Sequence, residues 1–383
     1  MSTTNILLTE EQRDLAQMAA QIVKAELAPR VADLDKSGEF PRDVMDSLRE
    51  AGFYGMGIPE EYGGLGLDLT TQMAIYEEIA KVDAGFSFNF ALASGEFAML
   101  EEAGAPEELK RYYADKILNG SICSFCLTEA QAGSDAAAIR TTAVREGDEY
   151  VLNGTKCFIT NGALADLFII FAYTDKSKGA KGISAFLVEK DRGVQIGKTE
   201  DKMGLKLSVT SEVILEDVRI PADHLIGQEG RGFGYAMHAL EKARVTTMVH
   251  ALGIAQSAMD IALDYAKVRK TFGKPIIEHQ GLAFLLADMQ KQVDAARAML
   301  YYSAAALDRG LSIGTLSPST KIFVSETAMS VTTDAVQVLG GYGYMKEYPV
   351  EKLMRDAKVF SIFEGTNQIN LMVSSGILAR QKS

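Results

Sequence analysis

Asp148-Glu149-Tyr150-Val151-Leu152-Asn153-Gly154-Thr155-Lys156-Cys157-Phe158-Ile159-Thr160 is the stretch on which the reading of the fold turns. β-Branched and aromatic residues lie on both sides of Asn153-Gly154, a dipeptide that accepts the positive φ angles of a tight hairpin, so the segment reads as two strands joined there. Further short β-rich runs follow at residues 167–173, 183–188 and 211–218. On both flanks the period changes to that of a helix. Upstream, Thr9-Glu10-Glu11-Gln12 has the capping-box pattern, and Pro29 and Pro41 punctuate the run. Pro106 and Gly120 frame a further helix, the proline at its first position and the glycine at its stop. Downstream of Gly232, Leu282, Leu285, Leu286, Met289, Val293, Ala296 and Leu300 keep the three-and-four spacing of one apolar face. They predict a helix of about 30 residues, roughly 45 Å long. The expectation is an α+β chain, predominantly α: a helical domain at 1–120, a β domain at 121–231 and a helical bundle at 232–383. Spare apolar faces on such a bundle often become subunit contacts.

Composition removes several classes of function. The 383 residues are 47% hydrophobic and 23% charged, ample apolar material for a packed core. Lysine and arginine number 39 against 51 acidic residues, a net charge of −12 with no gathered basic face, so nucleic acid is not an expected partner. Three cysteines form no disulfide framework and fit a reducing, cytoplasmic setting. Met1 to Gln12 carry no lysine or arginine, so no leader peptide is expected, and no apolar run reaches the ~20 residues of a membrane span.

Cys123 and Cys126 have C-x-x-C spacing, but residues three apart in a strand face opposite ways, and zinc would need Cys157 or the scattered His224, His238, His250 and His279. No metal is expected. Neither the glycines at 230, 232 and 234 nor those at 340, 341 and 343 have the G-x-G-x-x-G spacing of a nicotinamide site, and no phosphate-loop motif is present.

Four segments carry the chemistry. They are Leu127-Thr128-Glu129-Ala130-Gln131-Ala132-Gly133-Ser134-Asp135, Phe158-Ile159-Thr160-Asn161-Gly162, Arg269-Lys270-Thr271-Phe272-Gly273 and Phe363-Glu364-Gly365-Thr366-Asn367, in that order. With Tyr76-Glu77-Glu78 and Gln337-Val338-Leu339-Gly340-Gly341 they cover almost the whole chain, and the ordered set resembles the acyl-CoA dehydrogenase family. The resemblance implies a helical N-terminal domain, a central β-barrel-like domain and a C-terminal four-helix bundle. It also implies an oxidoreductase with FAD, an acyl-CoA substrate, electron-transfer flavoprotein as partner and a homotetramer.

Desaturating an acyl thioester requires a base for the α proton, an acceptor for the β hydride and donors for the enolate-like carbonyl. No side chain accepts hydride, so a flavin supplies that part. Glu364 is the candidate base: Val359-Phe360-Ser361-Ile362-Phe363 gives it an apolar setting that raises a carboxyl pKa, and Gly365 lets backbone approach a ligand. Read locally, Glu364 fits better a loop carboxylate before a helix capped by Thr366 or Asn367, and it is the ordered set of motifs that turns the reading to catalysis.

The resemblance assigns the remaining roles by position. Phe125, Leu127 and Thr128 match the strand along the flavin, and Gly133 and Ser134 the turn near its phosphates and the CoA. Phe158 matches an aromatic cover, and Thr160 a hydrogen-bonding partner. Arg269, Thr271 and Phe272, and separately Gln337 and Gly341, match segments that a neighbouring subunit extends to the cofactor's diphosphate and adenine. The bland reading of Arg269 is a solvated helix end. Thr366 and Gln368 match further cofactor contacts, whereas Arg244, Phe363, Gly365 and Ser134 match the substrate side.

Departures narrow the substrate. Ala243 stands where some members carry their base, Ser87 where decarboxylating members hold an arginine, and Ala91 where a cyclic-diene variant has an aspartate. Ala130 replaces the usual proline. The sequence therefore leads to ordinary α,β-dehydrogenation of a short- to medium-chain acyl-CoA, linear, branched or cyclic. Alternatives are the same scaffold run as an enoyl-CoA reductase and a non-catalytic scaffold protein. Glu96 is read as a surface carboxylate.

Overall fold

The structure is a computed structural model and describes residues 7–380. Of the opening segment read as lacking a leader, residues 1–6 lie outside that range. The chain starts with seven α-helices: α1 (Glu10–Glu26), α2 (Val31–Ser37), α3 (Arg42–Glu50), α4 (Leu69–Val82), α5 (Ala84–Ala93), α6 (Phe97–Glu102) and α7 (Glu107–Leu118). Thr9 caps α1 as its sequence predicts, accepting from the Gln12 backbone while the Gln12 side chain accepts from the Thr9 amide. Gly120 takes the left-handed conformation (φ 93°) just past α7. Pro106 is the residue before that helix rather than its first, with the extended ψ of an N-cap.

Seven strands then form one sheet: β1 (Cys123–Cys126), β2 (Thr142–Glu146), β3 (Glu149–Thr160), β4 (Leu167–Tyr173), β5 (Ile183–Glu189), β6 (Gln195–Thr199) and β7 (Thr210–Pro221). Their order is β1-β4-β2-β3-β7-β6, with β5 on β4, and β1 runs parallel to β4. The strands at 167–173, 183–188 and 211–218 are where the sequence places them, whereas β2 and β6 lack a sequence signal strong enough to see.

The hairpin expected at Asn153-Gly154 is not there. β3 runs unbroken through both residues as the partner of β7, with a register shift between Leu152 and Gly154. Asn153 bonds across to Asp217 in both directions, at 3.0 and 2.9 Å, and a Cβ at Gly154 would stand 2.4 Å from Thr141 Oγ1. The dipeptide therefore serves a bulge and a close strand approach, for which a side chain leaves no room. The real turn is two residues long, Gly147-Asp148, between paired Glu146 and Glu149, with Gly147 at φ 64°.

Helices resume with α8 (Gly232–Thr246) and α9 (Met248–Val268). A short ribbon of β8 (Lys270–Thr271) and β9 (Lys274–Pro275) precedes α10 (Gln280–Asp308), α11 (Leu316–Leu339), α12 (Val350–Ala357) and α13 (Asn367–Leu378). α10 is 29 residues long, and Leu286, Met289, Val293, Ala296 and Leu300 are its buried face as predicted, with Leu282 and Leu285 half-buried. α9 packs on α4 as well as on α11, so the two helical sections share one core.

One ion cluster sews all three sections together. Lys352 Nζ lies 2.7 Å from Asp83 Oδ2 and 2.5 Å from Asp356 Oδ2, and Asp356 Oδ1 accepts the Leu205 amide at 2.6 Å. The pair of carboxylates drives the Lys352 pKa up despite its burial. A buried charge is tolerable only when paired in this way.

Candidate active site

The carboxylate singled out by sequence sits in a tight, strained loop. Glu364 has φ 55° and Gly365 φ 79°, between the 3-10 turn Lys358–Ser361 and α13. Non-glycine residues rarely hold a positive φ, and six described residues do, of which Phe158, Phe272 and Glu364 are sequence-predicted site residues. Strain of about 1–3 kcal/mol per residue persists only where surroundings over-determine it. Here Thr366 caps α13 through the Ile369 amide, and Asn370 Nδ2 donates to the carbonyls of Gly365 (2.8 Å) and Thr366 (3.0 Å).

The Glu364 side chain is shielded. Its Oε2 is sealed from solvent without a hydrogen-bond partner, and so is Nε of Arg244. Burial raises the Glu364 pKa, and the charges of Arg244 and Lys321 oppose that rise. Burial in turn lowers the Arg244 pKa, opposed by Glu241 and Glu364. The backbone N–H of Glu364 also makes no hydrogen bond among the described residues. A carboxyl with a raised pKa, an unused guanidinium donor and a free amide form the donor and acceptor set of a ligand site.

An aromatic wall encloses the loop. The Phe363 ring centroid lies 5.0 Å from that of Phe88 on α5 and 5.0 Å from that of Phe360. Asn161, next to Thr160 at the end of β3, donates to the Asn89 carbonyl at 3.1 Å, so the end of β3 and the Glu364 loop are joined through neighbouring residues of α5. Asn89 Nδ2 and Oδ1 are themselves buried without partners.

The sheet-edge residues gather on β1 and β3. Cys157 N donates to the Thr128 carbonyl at 3.0 Å, and Ser124 Oγ to the Thr160 carbonyl at 2.9 Å. The Phe125 ring packs at a tilt against Phe171, 4.8 Å between centroids, Leu127 is buried, and Gly133 and Ser134 are exposed on the following turn. Phe158 is 64% exposed, an apolar ring held out from the sheet by its positive φ.

Beneath them lies a pair the sequence reading missed. Lys156, fully buried, lies 2.8 Å from Glu129 Oε1, and Glu129 also accepts from the amides of Arg140 and Thr141 and the Thr141 hydroxyl. These partners overcome burial and hold the Glu129 pKa at about 2.

A second group lies elsewhere. Arg269, Thr271 and Gly341 line a cleft of about 490 Å³ between the β8–β9 ribbon and the end of α11, with Tyr265, Tyr342 and Met345. Phe272 projects from the ribbon turn at 97% exposure, and Gln337 is exposed nearby on α11. Among the described residues no hydrogen bond, ion pair or ring contact joins this group to Glu364. Gln368 is exposed on the first turn of α13.

One expectation is corrected. Glu96 is half-buried rather than at the surface, and burial, then the charge of Glu364, push its pKa up to about 7. Ser87, at the position where decarboxylating members hold an arginine, is fully buried and tied to the Tyr76 carbonyl and His250 Nδ1. Lys321, buried behind the Glu364 loop, was overlooked, although it stands in phase with the buried stripe Ser317, Val324, Ala328 and Val331 of α11. Cys123 and Cys126 are buried free thiols, and no metal-binding cluster occurs among the described residues. No described helix is long and apolar enough to cross a membrane.

The exposed ring of Phe158 suits the flat face of a flavin, and Arg269 in the separate cleft suits a diphosphate, so the residue types present fit FAD. Comparison with known proteins agrees over the whole length. The acyl-CoA dehydrogenase N-terminal domain matches residues 9–121, the middle domain 124–218 and the C-terminal domain 230–378. A cyclohex-1-ene-1-carbonyl-CoA dehydrogenase of Syntrophus aciditrophicus is 44% identical over 375 residues, 96% of this chain and 89% of the relative. Among solved structures, butyryl-CoA dehydrogenase from Megasphaera elsdenii is 41% identical with a TM-score of 0.94, over 97% of this chain and 99% of its own. A chain in the structure of the electron transferring flavoprotein of Acidaminococcus fermentans is 44% identical with a TM-score of 0.95, over 99% of this chain and 100% of its own. The fold, the ordered motifs and these matches have one conclusion: the chain belongs to the acyl-CoA dehydrogenase family and is an oxidoreductase.

Proposed function

We propose that this protein dehydrogenates a short- to medium-chain acyl-CoA, linear, branched or cyclic, to the 2-enoyl-CoA. The observation that carries the reading is the Glu364 carboxyl, shielded, unpartnered at Oε2 and flanked by the unpartnered Arg244 Nε. Bound FAD supplies the acceptor for the β hydride.

The protein's own groups do the rest. Glu364 takes the α proton, and burial that raises its pKa brings its basicity toward that of a weakly acidic C–H. The free Glu364 N–H is a donor for the thioester carbonyl, where negative charge develops as the proton leaves. Phe363 and Phe88 exclude water, which strengthens both effects. Arg244 serves the CoA side of the pocket. Thr128, Thr160, Phe125, Leu127, Phe158, Gly133 and Ser134 hold the cofactor at the sheet edge, with Thr366 and Gln368 at the start of α13.

The domains divide at about residues 120 and 231 on this reading. The Arg269–Phe272 ribbon, Gln337 and Gly341 complete the FAD site of a neighbour in a homotetramer. Exposed apolar side chains on the same helical half, including Phe272, Phe284, Tyr302, Leu371 and Met372, supply contact area. Electrons leave to electron-transfer flavoprotein, and the setting is cytoplasmic. Butyryl-CoA dehydrogenation by one relative and the cyclic substrate of another support a compact acyl group.

The test is Glu364→Gln. The variant is expected to bind FAD and CoA esters normally while bleaching of the flavin absorbance by butyryl-CoA is lost. Bleaching at the native rate would overturn the assignment.

A further inference from the structure

Lys321 is a buried cation that the proposed chemistry leaves unused. Its side chain is fully buried on α11, and its ammonium has one hydrogen-bond partner, Asn367 Oδ1 at 2.7 Å. A neutral amide oxygen is poor compensation for an ammonium removed from water, and an apolar residue of similar shape would fill the same space without that cost. The desolvation is visible in its pKa, pushed down to about 8 and opposed first by the charge of Glu364.

Asn367 is the first residue of α13, three after Glu364. It is gripped from two positions four apart on α11, by Lys321 and by Ser325 Oγ at 3.2 Å. Such residues face the same way on a helix. This grip fixes the far end of the loop in which Glu364 is held at positive φ.

Resting on the reading of Glu364 as base, we infer that Lys321 is a positioning residue that tethers the base loop through Asn367 and supplies a buried positive charge that keeps Glu364 ionised. The charged groups facing Glu364 are Arg244 from α8, Lys321 from α11 and Glu96 from the turn before α6, with Glu241 and Glu326 acting at second remove on the two cations. With one anion opposing two cations there, losing either cation moves the Glu364 titration upward.

The experiment compares Lys321→Met, which removes charge and tether, with Lys321→Gln, which keeps an amide donor for Asn367 but no charge. Flavin content and CoA affinity report whether each variant is assembled. The protonated Glu364 carboxyl is followed against pH by infrared difference spectroscopy, its band identified by its loss in Glu364→Gln. Both variants are expected to titrate Glu364 about one pH unit higher than the native protein. Bleaching by butyryl-CoA should slow about tenfold on the acid side, with the deficit closing as pH rises and the base ionises.

A Lys321→Gln protein with normal FAD content whose Glu364 titrates at the native pH overturns the inference. If Lys321→Met does not fold, the Gln variant decides alone. Failure of the base assignment itself is separate, because Glu364→Gln would then bleach normally whatever the Lys321 variants do.

Discussion

Replacing Glu129 with glutamine tests whether the turn after β1 is held by electrostatics or by packing alone. Glu129 is 4% exposed and Lys156 fully buried, with 2.8 Å between them. Depression of the Glu129 pKa from 4.5 to about 2 favours the folded, ionised form by about 3 kcal/mol. Lys156 returns part of that, since burial lowers its own pKa, and the intact pair is worth less than either shift suggests. Breaking it is another matter. With an amide in place of the Glu129 carboxylate, Lys156 keeps only neutral acceptors such as the Leu127 carbonyl at 3.1 Å, and a stranded buried charge costs about 3–5 kcal/mol.

Glu129→Gln should therefore lose about 3–5 kcal/mol at pH 7, while Glu129→Gln/Lys156→Met should recover more than half of the deficit. The assay is hydrogen exchange of the Thr141 and Cys157 amides, which bond to Glu129 and to the Thr128 carbonyl, alongside urea unfolding followed by circular dichroism. Local exchange is preferable because so long a chain can unfold in steps. Because the folded pKa of Glu129 is depressed, its stabilisation is complete above about pH 4.5 and is lost as pH falls toward 2, so the single variant and native protein should converge in acid. A single variant within about 1 kcal/mol of native at pH 7, or a double variant no better than the single, would refute the reasoning.

Two further outcomes follow from the same physics. Lys352→Met leaves Asp83 and Asp356 facing each other without a cation, at a cost of about 3–5 kcal/mol; protonating one of the two relieves the repulsion, so the deficit should shrink between pH 7 and pH 5 in thermal scans, and a pH-independent deficit would mean lost packing. Phe272→Ala removes the fully exposed ring of the ribbon turn, so subunit dissociation by light scattering should rise on the order of tenfold to a hundredfold, with loss of bound FAD; an unchanged assembly would remove the ribbon from the interface.

The order of helices, sheet and helices and the face of α10 were legible in the sequence, which also singled out Glu364, the carboxylate whose Oε2 the structure leaves buried and unpartnered. Helical periodicity, capping residues and local motifs act over a few residues, so the chain itself carries them. Asn153-Gly154 shows the limit: the dipeptide permits a turn, but its amide found Asp217 and its missing Cβ made room for Thr141, neither of which is near in sequence. Tertiary structure alone decided that Lys156 meets Glu129, that Lys352 joins three sections, and that Glu96 and Lys321 lie within the field of Glu364. Burial and electrostatic coupling depend on what the rest of the chain brings alongside, and no local pattern encodes that distance.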